Sequence, residues 1–409
     1  REKNVFNEYK YFKQMDLGSQ QKILDELEII TKETAIDVPY KIQIIQSALP
    51  PQYKATALKK IDSLMYMDPG SGEYYKVKQW VDTFMKIPFG KYSHLPVNME
   101  SPTDEINAFM EDAKKTLDDC VYGLDDAKMQ IMQMMGQWIS NPDAVGTAIA
   151  IKGPMGTGKT TLVKEGISKI LNRPFAFIAL GGATDSAFLE GHSYTYEGSI
   201  WGKIVDILIQ SKSMNPVIYF DELDKVSDTA KGEEIIGILT HLTDTTQNSQ
   251  FHDKYFSNVD FDLSKALFIF SYNDERKVNP ILRDRMYRIQ TEGYKNKDKF
   301  TIASKYLIPR IEATMNFRDT IKMDNKVIEY ICNEYTDKEA GVRNLKRCIE
   351  IIYSKLNLYR LMKPDTSLFK DDDKVYEIGD EFEVTIDVVK NLIKKDEDAS
   401  STFYRNMYL

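Results

Sequence analysis

Eight consecutive residues, Gly153-Pro154-Met155-Gly156-Thr157-Gly158-Lys159-Thr160, combine the groups needed to hold a chain of phosphates. Glycines allow successive backbone N–H groups to turn inward on phosphate oxygens, in conformations that a Cβ would obstruct. Lys159 offers a cation to the β- and γ-phosphates and Thr160 a hydroxyl to Mg²⁺. Thr161 continues into a helix whose positive end faces the anion. The spacing G-x-x-x-x-G-K-[ST] arises by chance on the order of once in a hundred chains of this composition, and here it directly follows an apolar run.

Nucleotide hydrolysis also requires a carboxylate for Mg²⁺ at the end of a neighbouring strand. Val217-Ile218-Tyr219-Phe220 is followed by Asp221-Glu222. That order puts Asp221 at the carboxyl edge of a buried strand as a metal ligand, with Glu222 placed to polarise an attacking water. A third apolar run, Ala266 to Ser271, leads to Asn273. Its amide can bond both a γ-phosphate and that water, or it is simply an asparagine of the turn. Arg283, Asp284 and Arg285 follow Pro280-Ile281-Leu282. A guanidinium there suits the transition-state charge of phosphoryl transfer, often from a neighbouring subunit.

The elements that must position these groups follow from periodicity. Short apolar runs at Ala148–Lys152, Phe175–Leu180, Val217–Phe220, Ala266–Phe270 and Tyr287–Gln290 alternate with helical patterns, which predicts an α/β fold with a five-stranded parallel sheet covered on both faces. Residues 1–92 have helical spacing throughout, broken at Pro50-Pro51 and at Asp68 to Gly72, and read as a helical N-terminal module. A Pro-containing stretch over 93–103 reads as a connector, 104–293 as the nucleotide-binding domain and 294–395 as a helical lid with one short strand near Glu381–Ile386. An acidic run, Asp371 to Asp373, precedes that strand, and 396–409 form a polar, frayed tail.

Composition narrows the class further. The 409 residues are 42% hydrophobic and 28% charged, with a formal charge of −8. No overall basic field exists to hold nucleic acid. No run approaches the roughly 18 apolar residues of a membrane span, and no signal pattern opens the chain. Three cysteines without a C-x-x-C pair, and four histidines, argue against zinc and disulfides and for a reducing interior, cytoplasmic or an organelle matrix. Cys332 and Cys348 fall in apolar stretches and read as core.

The motifs resemble the ATPase module of the Lon family of AAA+ proteases. The likeness rests on Gly153 to Thr160, Ala179-Leu180-Gly181-Gly182, Gly191-His192, Tyr194 to Ser199, Gly202-Lys203, Asp221-Glu222-Leu223-Asp224-Lys225, Gln247-Asn248, Asp260 to Ser264, Asp284-Arg285-Met286, Gly293-Tyr294 and Glu339 to Leu345. It spans about residues 60 to 395. The resemblance implies an AAA+ P-loop NTPase fold, ATP and Mg²⁺ as ligands, and a homo-hexameric ring. It implies Asn273 as the first sensor, Arg285 as an arginine finger reaching the next subunit, Arg343 as a second sensor on the lid, and Tyr122 and Gly123 against the adenine. It further implies that Tyr196 lies on a pore loop gripping unfolded or misfolded protein. Two departures flank that residue: Glu197 where the family usually has an aliphatic residue, and Trp201, a second bulky contact, where it usually has proline. One extra residue between Asn273 and Arg285 reshapes the finger loop.

The family's peptidase half uses a serine in a Gly-rich string and a lysine. After Gly293 only Gly341 and Gly379 remain, and neither precedes such a serine. The expectation is an ATPase that pulls and unfolds protein without cutting it. Because the chain begins at Arg1 rather than methionine, a peptidase domain on a longer parent chain stays open. The alternatives are a nucleic-acid motor or packaging ATPase, disfavoured by the acidic balance, and a nucleotide-dependent scaffold, disfavoured by the intact set Asp221, Glu222, Asn273, Arg285 and Arg343.

Overall fold

The computed structural model describes residues 8–34, 38–141, 148–183, 185–317, 321–336, 339–362, 376, 378–379 and 381–393. The acidic run 371–373 and the tail 396–409 lie outside the described residues. The chain divides into two compact units, residues 1–90 and 91–409.

The first unit is helical, with helices Glu8–Lys13, Leu17–Thr34, Tyr40–Gln46, Pro51–Tyr66 and Gly72–Lys86. Pro51 opens its helix at the first turn, where its missing N–H costs nothing. Ser71 caps the next by accepting from Tyr74 N at 3.2 Å. The buried stripe Val77, Trp80, Val81 and Phe84 recurs at helical spacing, and Trp80 stacks on Phe84 at 4.9 Å.

The second unit is built on a parallel sheet. Its strands are β1 (Ala148–Lys152), β2 (Phe175–Ala179) and β3 (Val217–Asp221), then β6 (Leu267–Tyr272) and β7 (Tyr287–Gln290) after a separate antiparallel pair of two-residue strands, β4 (Phe251–His252) and β5 (Asp260–Phe261). The spatial order is β2-β3-β6-β1-β7 and every pairing is parallel. The central strands β1, β3 and β6 are apolar along nearly their full length because helices cover both faces. The edge strand β7 has only Ile289 buried, which accounts for its weaker apolar signal. Helices Thr103–Cys120 and Asp125–Ser140 close one face, through Leu117, Ile131 and Met135.

Residues at the head of the stretch read as a connector are tied down. Ser93 N donates to the buried Asn215 side chain at 2.8 Å, Asn215 Nδ2 returns a bond to Ser93 O at 2.9 Å, and Met214 N donates to Lys91 O at 2.8 Å.

After Tyr294 the chain forms a helical lid: Asn296–Ile302 running through a π turn into Ile308–Met315, then Asn325–Glu334, Arg343–Leu361 and Ile386–Leu392. Two short parallel strands, β8 (Ile321–Met323) and β9 (Phe382–Val384), pair beside them. The lid core is Ile328, Ile331, Leu345, Ile349, Ile352 and Leu356, which recur at helical spacing. Cys332 and Cys348 are buried in it, and burial pushes their thiols up to about 11 and about 12. Among the described residues no helix is long and apolar enough to cross a membrane.

Candidate functional site

Three strands end at one place. The loop after β1 begins at Gly153, Asp221 closes β3, and Asn273 follows β6. A cavity of about 1610 Å³ opens over these ends and beneath the lid. The carboxyl edge of an open parallel sheet, where neighbouring strands connect in opposite directions, is where such folds hold ligands.

The loop turns on Gly156 and Gly158, with φ of 76° and 90°, a region that residues with a side chain seldom enter. Lys159 then starts the helix with its side chain buried. Its ammonium donates to Pro154 O at 2.9 Å, Asn273 Oδ1 at 3.0 Å and Gly153 O. All three acceptors are neutral. Burial lowers the pKa of this ammonium below the ordinary lysine value, with Asp221 and Asp224 pulling the other way. A cation held this way, desolvated but without a carboxylate bonded to it, is a fitting partner for a polyanion.

Thr160 Oγ1 lies 3.2 Å from Tyr219 OH. Asp221 Oδ1 accepts from Ser271 Oγ and from Glu222 N at 3.1 Å, with Tyr219 OH at 3.5 Å. Burial raises the Tyr219 phenol to about 12, which keeps it a hydroxyl at neutral pH. Thr160 and Asp221 present oxygen only, the donor type Mg²⁺ takes. No group of three or more His, Cys, Asp or Glu able to hold a metal occurs among the described residues. A cation here would therefore complete its shell with phosphate oxygens and water, as Mg²⁺ commonly does.

Glu222 sits at φ 59°, ψ 44°, a left-handed conformation that costs a non-glycine residue about 1–3 kcal/mol. The turn aims its carboxylate into the cavity past Gly181, where a Cβ would stand 2.4 Å from Oε2. A side chain at Gly181 would push on the flexible end of Glu222 and redirect that carboxylate, a constraint that its place in the sequence did not reveal.

The lid closes the far side. Gly341 meets the phosphate-binding loop backbone to backbone: a Cβ on it would lie 2.1 Å from Met155 O, and Val342 N donates to Gly156 O at 3.1 Å. This contact puts the N-terminus of the helix Arg343–Leu361 at the loop. Arg343 lines the cavity there, with Lys305, Arg310, Lys346 and Arg347 adding positive charge. Tyr294, at the start of the lid, donates through its hydroxyl to Thr157 O at 2.7 Å, with Tyr122 O 3.2 Å away. Tyr294→Phe removes that bond, and we expect a loss of about 0.5–1.5 kcal/mol in urea unfolding of the nucleotide-free protein.

The structure thus brings together Tyr122, Met155, Gly156, Thr157, Gly158, Lys159, Thr160, Thr161, Asp221, Glu222, Asn273 and Arg343 around one cavity. Gly123, Gly153 and Pro154 stand outside its lining. A Cβ on Gly153 would fall 1.9 Å from Thr291 Oγ1, so that glycine serves packing against the residue after β7. Arg285 is also outside. Its guanidinium pairs with Asp244 at 2.5 Å and approaches Thr240 O at 3.4 Å. Hydrogen bonds from the Thr246 hydroxyl and backbone, then from Arg285, hold the Asp244 carboxyl down to about 2, so the pair stays ionised across the neutral range.

The loop from Gly191 to Gly202 stands apart from the cavity. His192 N donates to Ile200 O at 2.9 Å and closes its base. Tyr196 is 69% exposed, Glu197 is exposed, and Ile200, which sequence reasoning passed over, is 50% exposed. Trp201, expected as a second bulky contact, is half-buried, and its ring packs edge-on against the buried Tyr255 at 5.8 Å.

Fold and site define an AAA+ ATPase, a nucleotide-binding enzyme: residues 149–294 match the family described as "ATPase family associated with various cellular activities (AAA)". Residues 316–367 match the "Lon protease AAA+ ATPase lid domain". The chain is 36% identical over 341 residues to a Lon protease homolog of Acanthamoeba polyphaga mimivirus, covering 79% of this chain and 33% of the relative. It is 36% identical over 315 residues to Lon protease 2 of Bdellovibrio bacteriovorus, covering 77% and 38%. A Lon protease of Clostridioides difficile is 34% identical over 347 residues, covering 85% and 42%. The chain carries the AAA+ ATPase module found in the Lon family, and it spans 33 to 42% of the length of these relatives.

Proposed function

We propose that this chain is the motor of an ATP-dependent machine that unfolds and translocates protein, working as a homo-hexameric ring and feeding a peptidase domain on its parent chain where one is present. The observation that carries this reading is the pairing of a complete phosphate site, Lys159, Asp221, Glu222 and Asn273 around one cavity, with an exposed aromatic, Tyr196, on a closed loop of the same domain. An aromatic ring has two stiff torsions and can wedge between side chains of any sequence. The net charge of −8 and the acidic Glu197 beside that ring favour protein over nucleic acid.

In this reading the loop amides and Lys159 hold the triphosphate of ATP, with Tyr122 against the base. Thr160 and Asp221 hold Mg²⁺, which when bound neutralises charge on the β- and γ-phosphates. Glu222 orients the attacking water and accepts its proton, and Asn273 holds the same water against the γ-phosphate. Arg343 reaches the phosphates from the lid. Arg285, bonded within its own subunit to Asp244, is presented at the surface to the nucleotide of the neighbouring subunit. The domain limits 1–92, 104–293 and 294–395 are proposed as its working parts.

Tyr196→Ala tests the reading. We expect unfolding of a tagged substrate to fall by about tenfold or more, while ATP turnover falls by less than about twofold. Stimulation of ATP hydrolysis by DNA but not by unfolded protein would replace this proposal with a nucleic-acid motor.

A further inference from the structure

The loop that carries Tyr196 is held at both stems by three consecutive residues of the hairpin connection between β4 and β5. Asp253 is completely buried. Its Oδ2 accepts from Gly202 N at 2.8 Å, at the outgoing stem, and its Oδ1 accepts from Tyr255 N at 2.9 Å and Phe256 N at 3.4 Å. Lys254 holds the incoming stem: its N donates to Glu190 O at 2.7 Å and its ammonium pairs with the Glu190 carboxylate at 2.9 Å. Tyr255 then supports the interior of the loop, with the rings of Tyr194 and Trp201 edge-on to it at 5.5 and 5.8 Å. The two stems are pressed together here, since a Cβ on Gly202 would stand 2.1 Å from Leu189 O and 2.6 Å from Gly191 N.

A fully buried carboxylate is costly to keep in a fold, and burial pushes this one up to about 7 against the bonds from its three N–H donors. A serine or asparagine could cap one or two of those N–H groups at lower cost. What a carboxylate alone provides is acceptance in two directions at once: one oxygen fixes its own turn while the other fixes the stem of a different segment. That geometry points to a specific job. We infer that Asp253 is a positioning residue for substrate engagement, seating the stem at Gly202 so that the Tyr196 loop is held at one angle. This rests on the reading of residues 191–202 as the substrate-gripping loop.

The test uses the full chain with carboxymethylated lactalbumin, a permanently unfolded protein, as probe. Asp253→Asn keeps the shape but replaces one accepting oxygen by a donor. We expect the probe concentration giving half-maximal stimulation of ATP hydrolysis to rise about tenfold while the KM for ATP changes by less than about twofold. Hydrogen exchange across residues 190–203 should quicken, with 217–221 and 267–272 as protected as in the parent. A half-saturation equal to the parent's despite quickened loop exchange, or an unchanged loop exchange, overturns the inference. Tyr196→Ala, run in parallel, separates the two readings. If it too leaves half-saturation unchanged, or the parent shows no stimulation, the reading of the loop has failed rather than the seat. Should Asp253→Asn exchange rapidly throughout, Gly202→Ala decides, since it disturbs the seat from the loop side and should raise half-saturation similarly. A parent-like value with a loosened loop, or general unfolding of both variants, refutes a seat separable from the fold.

Discussion

Glu222→Gln should bind ATP with near-parental affinity and fail to turn it over, with kcat lower by a factor of about 10²–10⁴. The amide is isosteric and keeps the left-handed turn after β3, so the aim into the cavity past Gly181 survives. What it loses is the ability to take a proton from water. Asp221, Thr160 and Lys159 are untouched, so the phosphate contacts and the oxygen donors for Mg²⁺ remain. The measurement is equilibrium binding of labelled ATP beside a steady-state phosphate-release assay on one preparation. Turnover within about threefold of the parent would remove Glu222 as the base and direct attention to Asp224, a buried carboxylate that accepts from Asp274 N, next to Asn273, at 3.1 Å.

Lys159→Ala should act earlier, abolishing nucleotide binding. The ammonium bonds three neutral acceptors, the carbonyls of Gly153 and Pro154 and the amide of Asn273, and so ties the loop to the end of β6. Removing it takes away the charge that faces the triphosphate and leaves those acceptors without their donor. Each charge-assisted bond to phosphate is worth about 1.5–3 kcal/mol, so the dissociation constant should rise by about 10² or more. Titration with a fluorescent ATP analogue checks it, and near-parental affinity would mean that the backbone amides carry the binding alone. The two variants separate cleanly, since Glu222→Gln retains nucleotide and Lys159→Ala does not.

Much of this arrangement was legible in the residues because it depends on short-range order. β1 and β7 run over the predicted residues, Ala148–Lys152 and Tyr287–Gln290, and β3 differs only by including Asp221 itself. A buried parallel strand is an apolar run followed by a polar residue, and that polar residue is where the chemistry lies. What could not be read depends on contacts between distant segments. β4 and β5 contribute two residues each, too few for any period to register, yet the connection between them seats the Tyr196 loop. The bond from Arg285 to Asp244 joins the end of one helix to the cap of another, and no spacing rule connects them. Trp201 was a matter of orientation. A tryptophan in a loop reads equally as exposed or packed until the partner is known, and the partner is Tyr255. Gly153 fitted its motif for a reason the motif does not state, since Thr291 occupies the space its side chain would need.

The lid meets the phosphate-binding loop through main-chain atoms, with Val342 N bonded to Gly156 O and Gly341 lying against Met155 O. A junction made largely of main-chain atoms, with the Tyr294 hydroxyl on Thr157 O as its side-chain share, has an unusual mutational profile. Substitutions in the surrounding surface do not touch it, so the outer faces of the lid helices are free to differ in composition. A single methyl group at Gly341 breaks it, since it would stand 2.1 Å from Met155 O, and one at Gly156 would press on Arg343 at 3.0 Å. Sequence drift on the lid surface and integrity of its main-chain joint are thus largely decoupled, with Gly341 under the tightest constraint.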